Sequence, residues 1–313
     1  MGTERPVEEY ERSGESDRQL IESLLPDDWT WDEKRFLDFG CGIGRVLRQF
    51  AEEADQGDFY GCDLDRASIS WLKENLEPPF TFFESAEEPG LPQDDGYFDL
   101  IVAFSVYTHL TENWAGWLLE HHRVLADGGL LLATFLGEGM SEPLLGERWD
   151  EDRIGMNALR HDSPWDHGGP IALNSPWWIR AHWGRAFEIV ELQPRRSADG
   201  PSHGLILARK KPVELTAADL ERPEPDEPRE MTALMHHTTQ LIEEIRSLRA
   251  HAIAGAECQH HLELRLAELR DLNRELAAVE ASASWRLTAP LRRLKSLIAR
   301  QRAQPGATGE ASR

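Results

Sequence analysis

This 313-residue chain has no basic surplus, no long apolar run and only three cysteines. The formal charge of −22 leaves no basic stripe for a phosphate backbone, so no nucleic-acid partner is expected. Cys41, Cys62 and Cys258 are too few and too scattered for a disulfide framework or a cysteine-based zinc centre. No apolar run approaches the roughly 20 residues that span a bilayer. The first residues, with Glu4, Glu8, Glu9 and Glu11, have neither the basic start nor the apolar stretch of a secretory signal. A soluble, cytoplasmic body is the expectation. The tail differs: from Arg286 onward seven Arg or Lys residues stand against one acid.

What is present centres on residues 36–45. Phe36-Leu37-Asp38-Phe39 is an apolar run with an acid near its end, followed by Gly40, Gly42 and Gly44 at alternate positions. Arg45 to Phe50 then has a helical pattern. A strand, a glycine turn and a helix present backbone N–H groups and a helix N-terminus to a ligand. Three alternating glycines exceed what a tight turn between core elements needs.

Further strands and helices alternate along the chain. Leu20, Ile21, Leu24 and Leu25 sit at helical spacing before Pro26. A second strand, 59–62, ends at Asp63, roughly twenty residues past the glycine turn, where a βαβ nucleotide site keeps an acid for ribose hydroxyls. A helix over 67–76 and a strand over 80–83 follow. The run 98–105 is nearly all apolar, as in a strand buried on both faces. A helix over 114–125 stops at Asp127-Gly128-Gly129, with a fifth strand at 130–135. Residues 137–176 are rich in Gly, Pro and Trp and interrupt the pattern as an insertion over the sheet's ligand edge. A helix from Pro176 to Trp183 leads to two strands, 187–192 and 204–208, with no helix between them, so these pair antiparallel. The fold class is α/β, with a mostly parallel sheet.

At this level of detail the chain resembles a class I S-adenosylmethionine-dependent methyltransferase over about 34–210. Four motifs carry the resemblance in order: 38–45, Asp63, Gly96-Tyr97-Phe98-Asp99-Leu100-Ile101, and Arg123-Val124-Leu125-Ala126-Asp127-Gly128-Gly129. The last has Ala126-Asp127 where Lys-Pro is usual. The resemblance implies a Rossmann-like seven-stranded sheet with an antiparallel last hairpin, and S-adenosyl-L-methionine as cofactor. It implies a cofactor site of Asp38, Gly40, Cys41, Gly42, Gly44, Asp63, Leu64 and Phe104. Either Glu84 or Ser85 would take the adenine edge. The glycines lack the GxGxxG spacing of a dinucleotide site, which counts against that rival.

An oxygen nucleophile must lose a proton, and His109 lies just beyond strand four, where a base is useful. A structural histidine bonding a loop carbonyl is an equal alternative. Tyr107 is a weaker candidate, and His121 and His122 are expected on the surface. His161, Asp162, Asp166 and His167 fit no fixed metal spacing, so no metal is expected. Trp149, Trp165, Trp177, Trp178 and Trp183 offer faces for a sugar ring, although most are expected to anchor the insertion.

Beyond the domain, prolines among acids in 211–230 predict an extended linker. A heptad seam from Met231 through Leu234, Thr238, Leu241, Ile245, Leu248, Ala252, Gly255, Gln259, Leu262, Leu266, Leu269, Asn273 and Leu276, weak in its middle at Ala252, Gly255 and Gln259, predicts a coiled coil over 231–281, freed by that linker and joining copies into a homo-oligomer. Residues 282–292 resemble a "SxSWRLTAPLR" segment that follows coiled coils in bacterial glycosyltransferases of surface-polysaccharide assembly. That likeness implies glycosyltransferase partners. Within the basic amphipathic segment 282–303, residues 285–302 would contact an anionic membrane surface. A helical segment (1–33) opens the chain and a disordered tail (304–313) closes it. The combined expectation is an enzyme that O-methylates a sugar hydroxyl of a glycan or lipid-linked glycan, peripheral at the inner face of the cell membrane. Methylation of a small soluble metabolite, and a non-catalytic scaffold organising glycosyltransferases, stay open.

Overall fold

The computed structural model describes residues 7–281 apart from 147, 161–162, 164–167 and 198–199. The chain divides into two compact units, one up to Glu244 and one from Ile245 onward. The first unit opens with α1 (Val7–Leu24), β1 (Arg35–Phe39) and β2 (Asp58–Asp63). Next come α2 (Arg66–Leu76), β3 (Thr81–Glu84), β4 (Phe98–Ala103), α3 (Trp114–Val124) and β5 (Leu125–Phe135). The insertion forms α4 (Glu138–Leu145), β6 (Met156–Leu159) and β7 (Ile171–Asn174). The chain continues through α5 (Pro176–Ala186), β8 (Phe187–Gln193), β9 (Gly204–Lys210), α6 (Ala217–Glu221) and α7 (Arg229–Ala281).

Seven strands form one sheet in the order β3-β2-β1-β4-β5-β9-β8. β1 pairs in parallel with both β2 and β4, while β9 runs antiparallel to β5 and β8. This is the expected mostly parallel sheet with an antiparallel last hairpin. The strand order reverses between β1 and β4, and ligands bind at such a switch point, outside the carboxyl ends of the strands.

The period of two along a strand sorts side chains onto the two faces. Leu37, Phe39, Ile101, Ala103, Leu131 and Ala133 join one core with residues of α3 and α5. Phe36, Leu100, Val102, Leu130 and Leu132 join the other, with Ile21 of α1 and Leu72 of α2. β4 is apolar from Leu100 onward because both of its faces are covered there, while Asp99 near its start pairs with Lys34 at 3.0 Å. The alternation also sends Asp38 toward the α1 side, where it is 3% exposed.

Four local expectations are corrected. Residues 45–50 do not make an α-helix: a turn leads into a short 3-10 helix, Leu47–Phe50. The Arg48 N–H donates to Gly44 O at 3.2 Å, but the Gln49 N–H donates to Val46 O at 3.0 Å, the tighter i→i+3 bond of a 3-10 turn. α3 ends on Leu125, whose N–H donates to the His121 carbonyl, and Gly128 (φ +72°) lies within an irregular start of β5 instead of stopping the helix. His121 is fully buried on the sheet-facing side of α3, with its Nδ1 2.8 Å from the Tyr107 hydroxyl. Burial pushes its pKa down to about 3.

The fourth correction concerns 211–230, which is bound down over much of its length. α6 buries Leu220 completely. Arg185 of α5 donates to the carbonyls of Asp219, Leu220 and Arg222 at 2.7, 2.9 and 2.6 Å. His182 approaches Leu220 O at 2.6 Å and Glu230 Oε1 at 2.7 Å. The first turns of α7 therefore rest on the domain: Ala233 is buried, His237 Nε2 donates to Ala158 O, and Asn157 donates to Gln240. The prolines and acids that resemble a free tether hide Leu215, Ala217 and Leu220, which are enough apolar anchors to fix it. Residues 282–303 and 304–313 lie outside the described residues.

Candidate active site

The glycine turn takes dihedrals that other residues resist, with φ of +78°, +54° and +76° at Gly40, Gly42 and Gly44. A side chain on Gly44 would strike Leu72, so the turn lies close on α2. Asp63, at the carboxyl end of β2, holds the turn from the other side. Its Oδ2 accepts the Gly42 N–H at 2.8 Å and its Oδ1 the Asp65 N–H at 2.9 Å. Asp65 caps α2 by accepting from Ala67 and Ser68.

A cavity of about 830 Å³ opens at the switch point between β1 and β4. Of the residues expected from sequence, Gly40, Asp63, Leu64, Ser85, Phe104 and His109 line it. The others stand behind this surface. Cys41 packs its buried thiol against Gly61, and burial drives its pKa far up. Gly42 and Gly44 serve the backbone of the turn. Of the two candidates for the adenine edge, Ser85 faces the cavity, whereas Glu84 pairs with Arg66 at 3.0 Å.

Asp38 lies beneath the turn. It accepts the Leu47 N–H, yet its Oδ2 is buried without a partner. Burial raises its pKa to about 7, with Asp63 and Asp17 adding to the shift and Arg45 opposing it. Asp17 of α1 receives Arg45 of the turn at 2.5 Å and Arg196 of the β8–β9 connection at 2.6 Å. The Tyr10 hydroxyl of α1 is likewise buried without a partner; burial pushes its pKa up, and Arg48 beside it opposes the shift.

The wall opposite the glycine turn comes from the end of β4. Ser105 is left-handed at φ +59°, with its N–H donating to Thr134 Oγ1 at 2.7 Å. Such strain in a non-glycine residue gathers at functional sites. Beyond it, His109 Nδ1 lies 2.7 Å from the Pro170 carbonyl, supplied by the insertion. A carbonyl can only accept, so Nδ1 carries the proton and Nε2 is the basic nitrogen of the neutral ring. The hydrogen bond expected of a structural histidine thus also fixes the tautomer a base needs. Ala172 of β7 donates to Thr108 O at 2.8 Å, which ties the insertion to this wall.

Charge in the cavity is one-sided. Asp63, Asp65, Glu87 and Glu112 line it, and among the described residues no Lys or Arg does. Sequence reasoning passed over Glu87, Glu112 and Pro170, because loop residues carry no periodicity to flag them. Trp177, Trp178 and Trp183 of α5 are buried in the core against α3, the anchoring role expected of most of these tryptophans, and offer no face to a sugar. Trp149 is half-buried, and Trp165, His161, Asp162, Asp166 and His167 lie outside the described residues.

Residues 36–129 match the family model described as a methyltransferase domain. The sheet order and the glycine turn agree with that match, and the domain has the fold of the class I S-adenosylmethionine-dependent methyltransferases. Two curated proteins are similar to parts of the chain. A phthiotriol/phenolphthiotriol dimycocerosates methyltransferase of Mycobacterium ulcerans is 30% identical over 103 residues, covering 33% of this chain and 38% of that protein. A malonyl-[acyl-carrier protein] O-methyltransferase of Geobacter sulfurreducens is 31% identical over 111 residues, covering 35% and 41%. The chain thus spans about two fifths of the length of these relatives. Among solved structures, an S-adenosylmethionine-dependent methyltransferase from Mesorhizobium loti superimposes with a TM-score of 0.49 at 18% identity, covering 61% of this chain and 96% of that one.

The residues present fit this cofactor. An unpartnered, buried carboxylate oxygen at Asp38 calls for a cation, and the methionine part offers an ammonium. The acidic cavity likewise favours a sulfonium.

Proposed function

We propose that the protein transfers the methyl group of S-adenosylmethionine to a hydroxyl oxygen of an acceptor that is uncharged where it enters the cavity, as on a neutral glycan or the sugar of a lipid-linked glycan. The cofactor supplies an activated methyl group on a positively charged sulfur. Asp63 accepts the ribose hydroxyls, Asp38 attracts the ammonium from beneath the glycine turn, and Leu64 and Ser85 flank the adenine. Phe104 and Ser105 form the floor beside the reacting centre. His109 takes the acceptor's hydroxyl proton on Nε2 as the oxygen–carbon bond forms and the carbon–sulfur bond breaks, while its Nδ1–H stays on Pro170. The rest of the rate comes from holding oxygen, carbon and sulfur in line.

The observation that carries this reading is the continuity of one cavity from Asp63 to His109 without a cationic residue among the described lining. A carboxylate or phosphate acceptor would enter four carboxylates with no counter-charge, which is unfavourable in a partly dry cavity. That argues against a malonyl-type carboxyl acceptor. The phosphates of a lipid-linked sugar would stay outside the mouth. The basic segment 285–302 serves in this reading to keep the enzyme at an anionic membrane surface.

The test incubates full-length protein with methyl-labelled S-adenosylmethionine and membrane extracts or neutral glycans. Alkali-stable label, a methyl ether, is the expected product; alkali-labile label, a methyl ester, refutes the hydroxyl assignment. For location, the chain truncated at Pro290 should leave anionic vesicles that the full chain binds, and a full chain that ignores such vesicles ends that part of the reading.

A further inference from the structure

α7 carries two different faces. Over its first turns, Glu230, Ala233, His237 and Gln240 recur at helical spacing and rest on the domain through the contacts given above. The heptad seam lies one residue further on, through Met231, Leu234, Thr238 and Leu241, so domain packing does not consume it. Along the helix the seam is open: Leu234 is 55% exposed, Ile245 46%, Leu248 40% and Leu266 51%. An apolar seam of this length on a helix that has already docked by another face calls for a partner helix.

We infer that the occupant is a second copy of this chain, paired as a parallel, in-register, two-stranded coiled coil over 231–276. The seam assigns Met231, Thr238, Ile245, Ala252, Gln259, Leu266 and Asn273 to a positions. Six of the seven d positions, all but Gly255, are leucine. Leucine at d with a polar residue at a is the pattern of parallel dimers, in which a buried polar a residue fixes register and strand number. Orientation follows from the polar layers. In a parallel in-register pair each a residue meets its own copy, so Thr238, Gln259 and Asn273 each face a hydrogen-bonding twin. In an antiparallel pair a faces d, and these three polar groups would be set almost everywhere against leucine, leaving them unpaired. The flanking charges do not decide orientation. Glu244 at g attracts Arg249 at e of a parallel partner, while Arg265 and Arg270 repel each other.

The test uses the full chain. Light scattering at micromolar concentration should give twice the chain mass of 35.6 kDa. In a Cys258→Ser background, Leu248→Cys should form an interchain disulfide on air oxidation, because identical d positions meet only in the parallel, in-register arrangement. Leu248→Asp, at a solvent-facing position, should give a single-chain mass with unchanged domain circular dichroism. A wild-type mass of one chain, or of three or more, overturns the inference. So does a dimer in which Leu248→Cys fails to cross-link, or a Leu248→Asp variant that stays dimeric.

Discussion

Cofactor affinity should depend on pH through Asp38. In the free protein this carboxyl is buried, and its pKa stands at about 7. A cofactor ammonium beside it favours the ionised form, and an opposite charge at close range lowers a carboxyl pKa by about 1–3 units. Linkage then fixes the sign: the bound state holds fewer protons, so binding releases protons and strengthens as pH rises toward 7. Affinity should rise about 10- to 1000-fold from the pH where Asp38 is protonated in both states to the pH where it is ionised in both. At pH 7 the free carboxyl is half-protonated, so binding should release about half a proton. Calorimetry between pH 5 and 7 in buffers of different ionisation enthalpy reads the proton release and the part of the rise that falls in this range, about 5- to 50-fold. Asp38→Asn should bind more weakly and lose this pH dependence. Affinity that is flat over the range, with no proton exchange, would refute the ammonium pairing.

Three further outcomes follow from the geometry. Asp63→Ala removes the acceptor for two ribose hydroxyls and the tether of Gly42; at about 1.5–3 kcal/mol per charge-assisted bond, cofactor affinity should fall at least 100-fold by calorimetry, and equal affinity would remove Asp63 from the site. His109→Gln should lower turnover about 100-fold while cofactor affinity stays within a factor of two or so, since a general base contributes 10²–10⁴-fold; unchanged turnover would leave His109 a loop anchor only. His182→Leu removes the bonds to Leu220 O and to the Glu230 carboxylate, which keeps the Glu224 N–H, so urea unfolding should show a loss of about 1–3 kcal/mol; a neutral effect would mean the strap is held elsewhere.

Elements whose signal is local were legible before the structure. The apolar run of β1, the nearly unbroken run of β4 and the missing helix between β8 and β9 each specify their place in the sheet. The alternating glycines and Asp63 likewise mark a turn whose dihedrals and acid are written in residue type. What stayed hidden depends on tertiary partners. Nothing near Arg45 shows that its side chain will pair with Asp17, 28 residues earlier. His121 looks like a surface residue beside His122 until Tyr107 arrives to cover it. Trp177, Trp178 and Trp183 differ from sugar-binding tryptophans only in facing α3, which the sequence does not specify. The strap over α5 hid behind its own prolines, because α5 presents Arg185 as a collector of carbonyls only once both are folded. The acceptor wall is the least legible part, since Pro170 reaches His109 from 61 residues further on, beyond α3, β5 and most of the insertion.

The most direct test of the central claim is a calorimetric titration of the full-length protein at pH 8 with S-adenosylmethionine, its demethylated product and NAD in parallel. Saturable binding of one molecule per chain is predicted for the first two and none for the dinucleotide. Binding of NAD without binding of either sulfur compound would contradict the assignment of the 38–44 turn to a sulfonium cofactor.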